Sequence, residues 1–567
     1  MKKIIYLFST LITVVFYLNT FNCAAQTPSW IWAKSAGAES DDEAYSVAVD
    51  ATGNSYIAGY FNSSVMIMGS TTLTNMGGDD VFLAKCNASG NVVWAKSGMG
   101  PGYDMATSVA VDTAGNVYIT GFFTSDTLQF GTFKLINAGG TDNTNDIFIV
   151  KYNSAGTVLW AKSYGGLSDD GASSIAVNKA GNLFVTGYFD SYHINFGTIA
   201  LVNTDTNNYS DDIFLAKYDV NGTVLWAKRI GGYGSDEGNA VAVDTLGNVY
   251  LAAIFDSPTI TIGTTTLTNA DNMGSTKDLF IAKYNSFGSV LWAKGAGGAD
   301  YDYALSVAVT AAGDAYLTGY FASLTLAFGS TILTNADSLN YTNDIFIAKY
   351  NSTGSVQWAK SIGGQGNDVA NSVALNAMGN PYLSGYFTSP AILFGTTNLI
   401  NDDTNYYRDI FLAKFDPNGN AIWAKRAGGS SDDQANSVAA NAAGDVLVTG
   451  SFHSPTIAFD GSILTNADNT TDSRDIFLAK LVSLAGIKEL NETSDFLIFP
   501  NPATENISLV MAGKSTIEIL NSEGQVIKIL KTEDNTTTVD VSGLSRGMYF
   551  VKIITEKGIG VKKFVKE

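Results

Sequence analysis

Cysteine is almost missing: the chain of 567 residues holds two, Cys23 and Cys86. That excludes a disulfide-stapled scaffold and any Cys-rich zinc site. Histidine is as scarce, with His193 and His453 alone, at unrelated places in the chain. Between residues 26 and 482 there are three glutamates: Glu39, Glu43 and Glu237. Basic residues are outnumbered 33 to 53, and the net charge of −20 argues against nucleic acid and anionic membrane surfaces, which select basic faces. No G-x-S-x-G elbow, P-loop or D-x-D-x-D-G calcium loop occurs. The apolar run at residues 4–17 is short for a span of about 20 residues, and no other run is long and apolar enough to cross a bilayer.

Residues 1–25 read as a secretory signal. Lys2 and Lys3 precede the apolar run, and Cys23-Ala24-Ala25 supplies small residues for a cut between Ala25 and Gln26. An acylated Cys23 is the rival reading, which Phe21 and Asn22 fit badly. After the cut only Cys86 remains, so stability must come from packing.

What the chain has in plenty is repetition. Trp-Ala-Lys begins at Trp32, Trp94, Trp160, Trp226, Trp292, Trp358 and Trp423, at intervals of 62 to 66 residues. Only Trp30 falls outside the series. A fixed period of this size signals a repeat architecture. Each unit shows four strand-like segments, in unit two Ser108–Val111, Val117–Phe123, Asp146–Tyr152 and Val158–Lys162. Glycine turns such as Gly115 and Gly156 separate the first pair and the last. Ile147 to Val150 are apolar on both faces, the mark of a strand buried on both sides. Short antiparallel sheets stacked face to face give that pattern, and a β-propeller is such a stack. The tryptophans then read as structural, wedged between blades.

The count predicts closure. The chain enters with a Trp strand, residues 30–34, and leaves with Asp475–Lys480 and no Trp strand after it. The first can complete the last sheet and remove its open edge. Seven blades follow. The Ser-Val-Ala-Val-Asp, Gly-Asn-Val-Tyr-Ile-Thr-Gly and Asp-Ile-Phe-Leu-Ala-Lys-Tyr segments resemble the SBBP β-propeller repeat family over residues 30 to about 482.

All length variation falls between the second and third strands, around Phe-Gly-Thr-x-x-Leu-x-Asn. A rigid scaffold with one variable loop is where binding is usually placed. That face also collects Asp41, Asp42, Asp169, Asp170, Asp432 and Asp433, and the ring Asp80, Asp146, Asp212, Asp278, Asp344, Asp409 and Asp475. The ring reads as structural, its carboxylates accepting backbone N–H groups at strand ends. The sequence-adjacent Asp pairs are the calcium candidates, since calcium takes 6–8 oxygens; no other cofactor is implied. Tyr209, Tyr341, Tyr406 and Tyr407, at the ends of the excursions beside Asn, Asp and Thr, are candidates for stacking on a sugar. No residue is singled out for catalysis, because nothing marks one Asp pair among so many.

After Lys480 the pattern changes. Residues 483–494 form a linker, and residues 495–567 carry equal numbers of acidic and basic side chains. Clear alternation there predicts a small antiparallel sandwich. Pro500-Asn-Pro502, the Gly524 turn, Leu-x-x-Gly-x-Tyr-Phe-Val at Leu544–Val551 and the Lys-rich end resemble the type A sorting domain of the type IX secretion system of Bacteroidota. The resemblance implies export through that machinery, then surface attachment or release. The expectation is all-β: a signal (1–25), a seven-bladed propeller (26–482) and a small Ig-like sandwich (495–567). The function expected is binding or adhesion at a glycan or surface polymer, or at a protein. The alternatives are a glycosidase- or lyase-type propeller enzyme and a protein–protein scaffold.

Overall fold

A computed structural model describes residues 28–140, 143–205, 210–271, 276–337, 342–401, 405–442, 444–468, 473–482, 496–510, 514–521, 526–555 and 558–567. Among them every regular element is a β-strand, and no helix is long and apolar enough to cross a membrane. The chain divides into two units, residues 28–483 and the C-terminal stretch beyond. The signal and its cut at Ala25 and Gln26 lie outside the described residues.

The first unit contains seven four-stranded antiparallel sheets among its described residues. The second sheet is typical: Asp104–Val111, Val117–Phe123, Asp146–Tyr152 and Val158–Tyr164, paired in chain order. The seventh takes three strands from the end of the unit and its fourth, Ser29–Ala36, from the start. There Trp32 pairs with Lys480 and Ala33 with Ala479. Neighbouring first strands lie against one another throughout, and the seventh lies against the first, so the contacts form a closed cycle with the first strands at its inner edge. Third strands such as Asp146–Tyr152 are buried at every position, as their unbroken apolar run requires.

Three contacts recur where one sheet meets the next. At the inner edge the serine of Ser-Val-Ala-Val accepts a backbone N–H from the following sheet: Ser46 from Val109, Ser108 from Ile175, Ser174 from Val241, and Ser437 from Val47 across the closure. Further out, a third-strand lysine runs under an aromatic ring and donates to a turn carbonyl of the next sheet. Lys217 Nζ lies 5.4 Å from the Phe184 ring centre and 2.8 Å from the Ser286 carbonyl oxygen. Trp226 Nε1 donates to that same carbonyl at 3.3 Å. The aliphatic stem and ring cover each other while the ammonium keeps a partner.

The tryptophans therefore sit on the outer, fourth strands. Trp94 and Trp423 are 9% and 7% exposed, and the other five of the series are half-buried, because each covers a turn at the perimeter. A Cβ on Gly156 would lie 2.9 Å from the Trp94 indole, and its φ is +78°. Glycine is required there on both counts. Trp30, left over by the repeat, is 7% exposed and packs edge-on against Phe459 at 5.1 Å.

The variable excursion contains a two-stranded hairpin that the strand count missed, such as Thr127–Phe130 with Phe133–Ile136. Leu128, Phe130 and Leu135 of that hairpin join the core. The Asn that ends the segment closes its base: Asn137 Nδ2 donates to the carbonyls of Phe123 and Thr144 at 3.1 and 2.8 Å. Length varies only beyond the hairpin. Six of the hairpin turns hold a glycine at φ between 59° and 64°; the seventh holds Asp460 at φ 49°. Its carboxylate accepts the Trp30 N–H at 3.2 Å and pairs with Lys425 at 2.7 Å, so the entering strand is fastened to the sixth and seventh sheets together.

The C-terminal unit has a three-stranded and a four-stranded antiparallel sheet. Leu509, Ile517, Ile519, Val539, Val551 and Phe564 are among its buried core residues.

Candidate functional site

Two carboxylate rings frame the end of the cycle where first strands begin and second strands finish. First-strand Asp42, Asp170 and Asp433 are fully buried. Asp170 accepts Ser191 Oγ–H at 2.8 Å, the Ser191 N–H at 3.2 Å and the Gly166 N–H at 2.8 Å. The third-strand ring is 0–3% exposed, and Asp146 accepts the Ala138 N–H at 2.7 Å. Its carboxylate occupies the place of a side chain on Gly165: a Cβ there would fall 1.9 Å from Oδ1. The repeated Gly-Gly thus lies between carboxylates of successive sheets. Burial pushes Asp146 and Asp170 up to about 7 each, against the pull of their N–H and O–H donors.

The sequence-adjacent Asp pairs are not brought together. Neighbours along a strand point to opposite faces. Asp42 is buried, whereas Asp41 turns outward to accept the Arg474 N–H at 2.9 Å. Asp169 and Asp432 likewise accept the N–H groups of Asn145 and Arg408. Among the described residues no three His, Cys, Asp or Glu side chains are grouped so as to hold a metal ion. Of the tyrosine candidates, Tyr209 and Tyr341 lie outside the described residues. Tyr406 is 62% exposed with φ 62°, and the Tyr407 carbonyl accepts Asn401 Nδ2–H at 2.8 Å.

One rung of the sheets also distinguishes the copies. First-strand Asp faces second-strand Phe in all seven, as Asp42 faces Phe61 and Asp302 faces Phe321. Two residues on, a small pair faces across the strands, such as Ala44 and Gly59. Between these repeated rungs lies one that differs in every sheet. It reads Glu43–Tyr60, Met105–Phe122, Gly171–Tyr188, Glu237–Ile254, Tyr303–Tyr320, Val369–Tyr386 and Gln434–Ser451.

These side chains and their flanks meet around the inner edge, here called the mouth. Lys277 Nζ pairs with Glu237 Oε1 at 2.5 Å and lies 5.8 Å from the Tyr303 ring centre. Tyr303 stacks on Tyr320 at 4.9 Å and 14°. Arg408 lies over Tyr386 at 4.5 Å and donates to Gln434 Oε1 at 2.8 Å. Glu43, 1% exposed, accepts from Arg474 Nη1 at 3.0 Å, Ser451 Oγ at 2.9 Å and Gln434 Nε2 at 3.3 Å. On the opposite arc a cavity of about 560 Å³ is lined by Asp169, Asp190, Asp211 and Glu237, with Tyr188, Ser210 and Ser235. Burial, then the charges of Glu237 and Asp190, raise Asp211 to about 7, against Lys277 and Ser235. Sequence reasoning missed the rung because it sought asymmetry in the long excursions. Comparing the seven copies at the residues flanking each repeated Asp would have exposed it.

Two family models match the chain: a secretion system C-terminal sorting domain over residues 497–567, and a beta-propeller repeat over residues 225–253. An uncharacterized WD repeat-containing protein, L264 of Acanthamoeba polyphaga mimivirus, is 25% identical over 76% of this chain and 37% of its own length. The regulatory protein FlaEY of Caulobacter vibrioides is 30% identical over 20% of this chain and 12% of its own. The chain thus spans well under half of these curated relatives. Among solved structures, Sqt1 of Chaetomium thermophilum has a TM-score of 0.38 at 10% identity, covering 80% of this chain and 98% of its own. PorZ of Porphyromonas gingivalis, described as an essential surface component of the type-IX secretion system, has a TM-score of 0.24 at 12% identity, covering 92% and 74%. The chain is thus an all-β protein that carries the beta-propeller repeat and ends in a type IX sorting domain, the marks of a secreted or surface propeller protein.

Proposed function

We propose that the seven sheets are the blades of a closed propeller, spanning residues 26–482, that binds a glycan or surface polymer at the mouth. In this reading residues 495–567 fold as an Ig-like sandwich that addresses the chain to the type IX machinery after a signal at residues 1–25 has taken it across the inner membrane. One observation carries the binding reading. The copies change from charged to aromatic to apolar at one rung, set between an Asp–Phe rung and a small-residue rung kept in every sheet. A scaffold needs repeated residues; a ligand without sevenfold symmetry needs unlike ones. The unlike residues suit sugars: stacked Tyr303 and Tyr320, Tyr386 under Arg408, and carboxylates beside them. Aromatic faces cover sugar C–H groups while charged groups take hydroxyl hydrogen bonds.

A glycan array read with the secreted protein and with Tyr303→Ala/Tyr386→Ala tests this. Signal for the wild type that the double variant loses is the expected result. An array blank for the wild type overturns the glycan reading in favour of a protein ligand.

A further inference from the structure

The mouth is electrically lopsided. The arc through the fifth, sixth and seventh sheets carries Arg408 and Arg474, each engaged by Gln434 or Glu43. The arc between the third and fourth sheets carries four carboxylates around one cavity of about 560 Å³. Lys277 pairs with Glu237 at 2.5 Å and its charge also reaches Asp211. Asp169 receives one backbone N–H, from Asn145. Asp190 keeps a buried Oδ1 with no hydrogen-bond partner.

A second observation is independent of charge. Ser210 lines this cavity, is 6% exposed, and its Oγ has no hydrogen-bond partner. The same register carries Thr144, Thr276 and Thr342, also unpartnered. These precede Asn145, Lys277 and Asn343, whereas Ser210 precedes the carboxylate Asp211. At this sheet the buried hydroxyl is followed by an acid, and both line one cavity with Asp190. A buried hydroxyl left unpaired is costly, and a ligand hydroxyl or ammonium removes that cost.

We propose that this cavity holds the ammonium group of an amino sugar, so that the mouth selects a glycan whose amines are not acetylated. The inference rests on the glycan reading above and adds the substrate class. Size and wall chemistry choose among cations. A divalent metal needs several oxygens within about 2.6 Å of one point, and no three acidic groups among the described residues are so placed. An ammonium takes hydrogen bonds at about 2.7–2.9 Å and tolerates carboxylates spread around it. A lysine side chain brings an ammonium too, but its four-carbon stem asks for an apolar sleeve. This wall is four acids, two serines and one tyrosine. An amino sugar matches it: hydroxyls for Ser210 and Ser235, a C–H face for Tyr188, and one charge for the acids.

The test compares two probes differing only in acetylation, the hexamers of β-1,4-linked glucosamine and N-acetylglucosamine, with oligolysine as the third. Binding to the full secreted chain is titrated at pH 7 and low salt, because burial keeps Asp211 largely protonated at pH 6. The glucosamine hexamer should bind at least about tenfold tighter than the acetylated one, and Asp211→Asn and Glu237→Gln should each remove about tenfold of that affinity. Both variants must keep the wild-type melting temperature; if Asp211→Asn does not, Glu237→Gln alone carries the test. Equal affinity for the two hexamers overturns the amine assignment and leaves the glycan reading standing. Tighter binding of oligolysine overturns it in favour of a basic peptide. No binding of either hexamer also overturns it, and the array then decides whether any glycan is bound.

Discussion

Asp146 and Asp475 are 1% and 2% exposed, and each keeps Oδ1 without a hydrogen-bond partner. Burial raises both to about 7. In the unfolded chain such groups titrate near pH 4. The folded state therefore holds a proton more tightly than the unfolded one between about pH 4 and 7. The resulting stabilisation is complete below the unfolded value and is lost as pH rises through the folded one. The melting temperature should fall as pH is raised from 5 to 8, followed by circular dichroism. Asp146→Asn and Asp475→Asn together should flatten that profile, and an unchanged slope would refute the assignment. These aspartates stood out in the sequence because they recur. Their setting did not, because Gly165 comes beside Asp146 only when the third and fourth strands of the sheet pair.

The contact between sheets is a set of small repeated devices; one interface departs from it, and so does the strand pairing inside the seventh sheet. Ala240 stands where six sheets carry a serine, so the fifth sheet finds no hydroxyl acceptor there. Ala240→Ser should stabilise by about 1 kcal/mol, read from the urea midpoint. At the closure Trp30 pairs with Leu481, whereas the same register elsewhere pairs Val158 with Tyr152 and Val224 with Tyr218. The large and small residues have changed strands. Trp30→Val should cost about 3 kcal/mol or more through the void it leaves, and Leu481→Tyr in that background should recover a good part of it. Additive single effects in the double-mutant cycle would contradict the exchange. Strand order, turns and the tryptophan series were legible from period and pattern. The exchange was not, because it appears only when residue 30 is set beside residue 481. The excursion hairpin is hidden for a related reason: four-residue strands such as Thr127–Phe130 are too short for alternation to show.

For the molecule as a whole, two segments carry consequences out of proportion to their length. Residues 29–36 supply the fourth strand of the seventh sheet. Their removal would expose the edge of Asp475–Val482, a ready template for pairing with another chain. Size-exclusion chromatography of the shortened protein should show oligomers, and a clean monomer with wild-type melting would argue against closure by that strand. Removal of residues 495–567 should leave the protein in the periplasm, assayed by fractionation; unaltered export would refute the address. Export and architecture were readable because a sorting tail and a repeat impose patterns along the chain. The variable rung was not, since its residues hold one repeat position but change type from unit to unit, which a search for recurring motifs passes over.

The meeting of Ser29 with Val482 has a last implication. The two ends of the cycle leave side by side, antiparallel, as the third and fourth strands of every other sheet do before a short glycine turn joins them. A turn of that kind placed between residues 482 and 29 would make the backbone of the first unit continuous. A new start could then be cut at any of the other six turns, such as the one at Gly156. Such circularly permuted chains should fold to the same ring, which would leave the order of synthesis, and not the architecture, as what distinguishes one sheet from another.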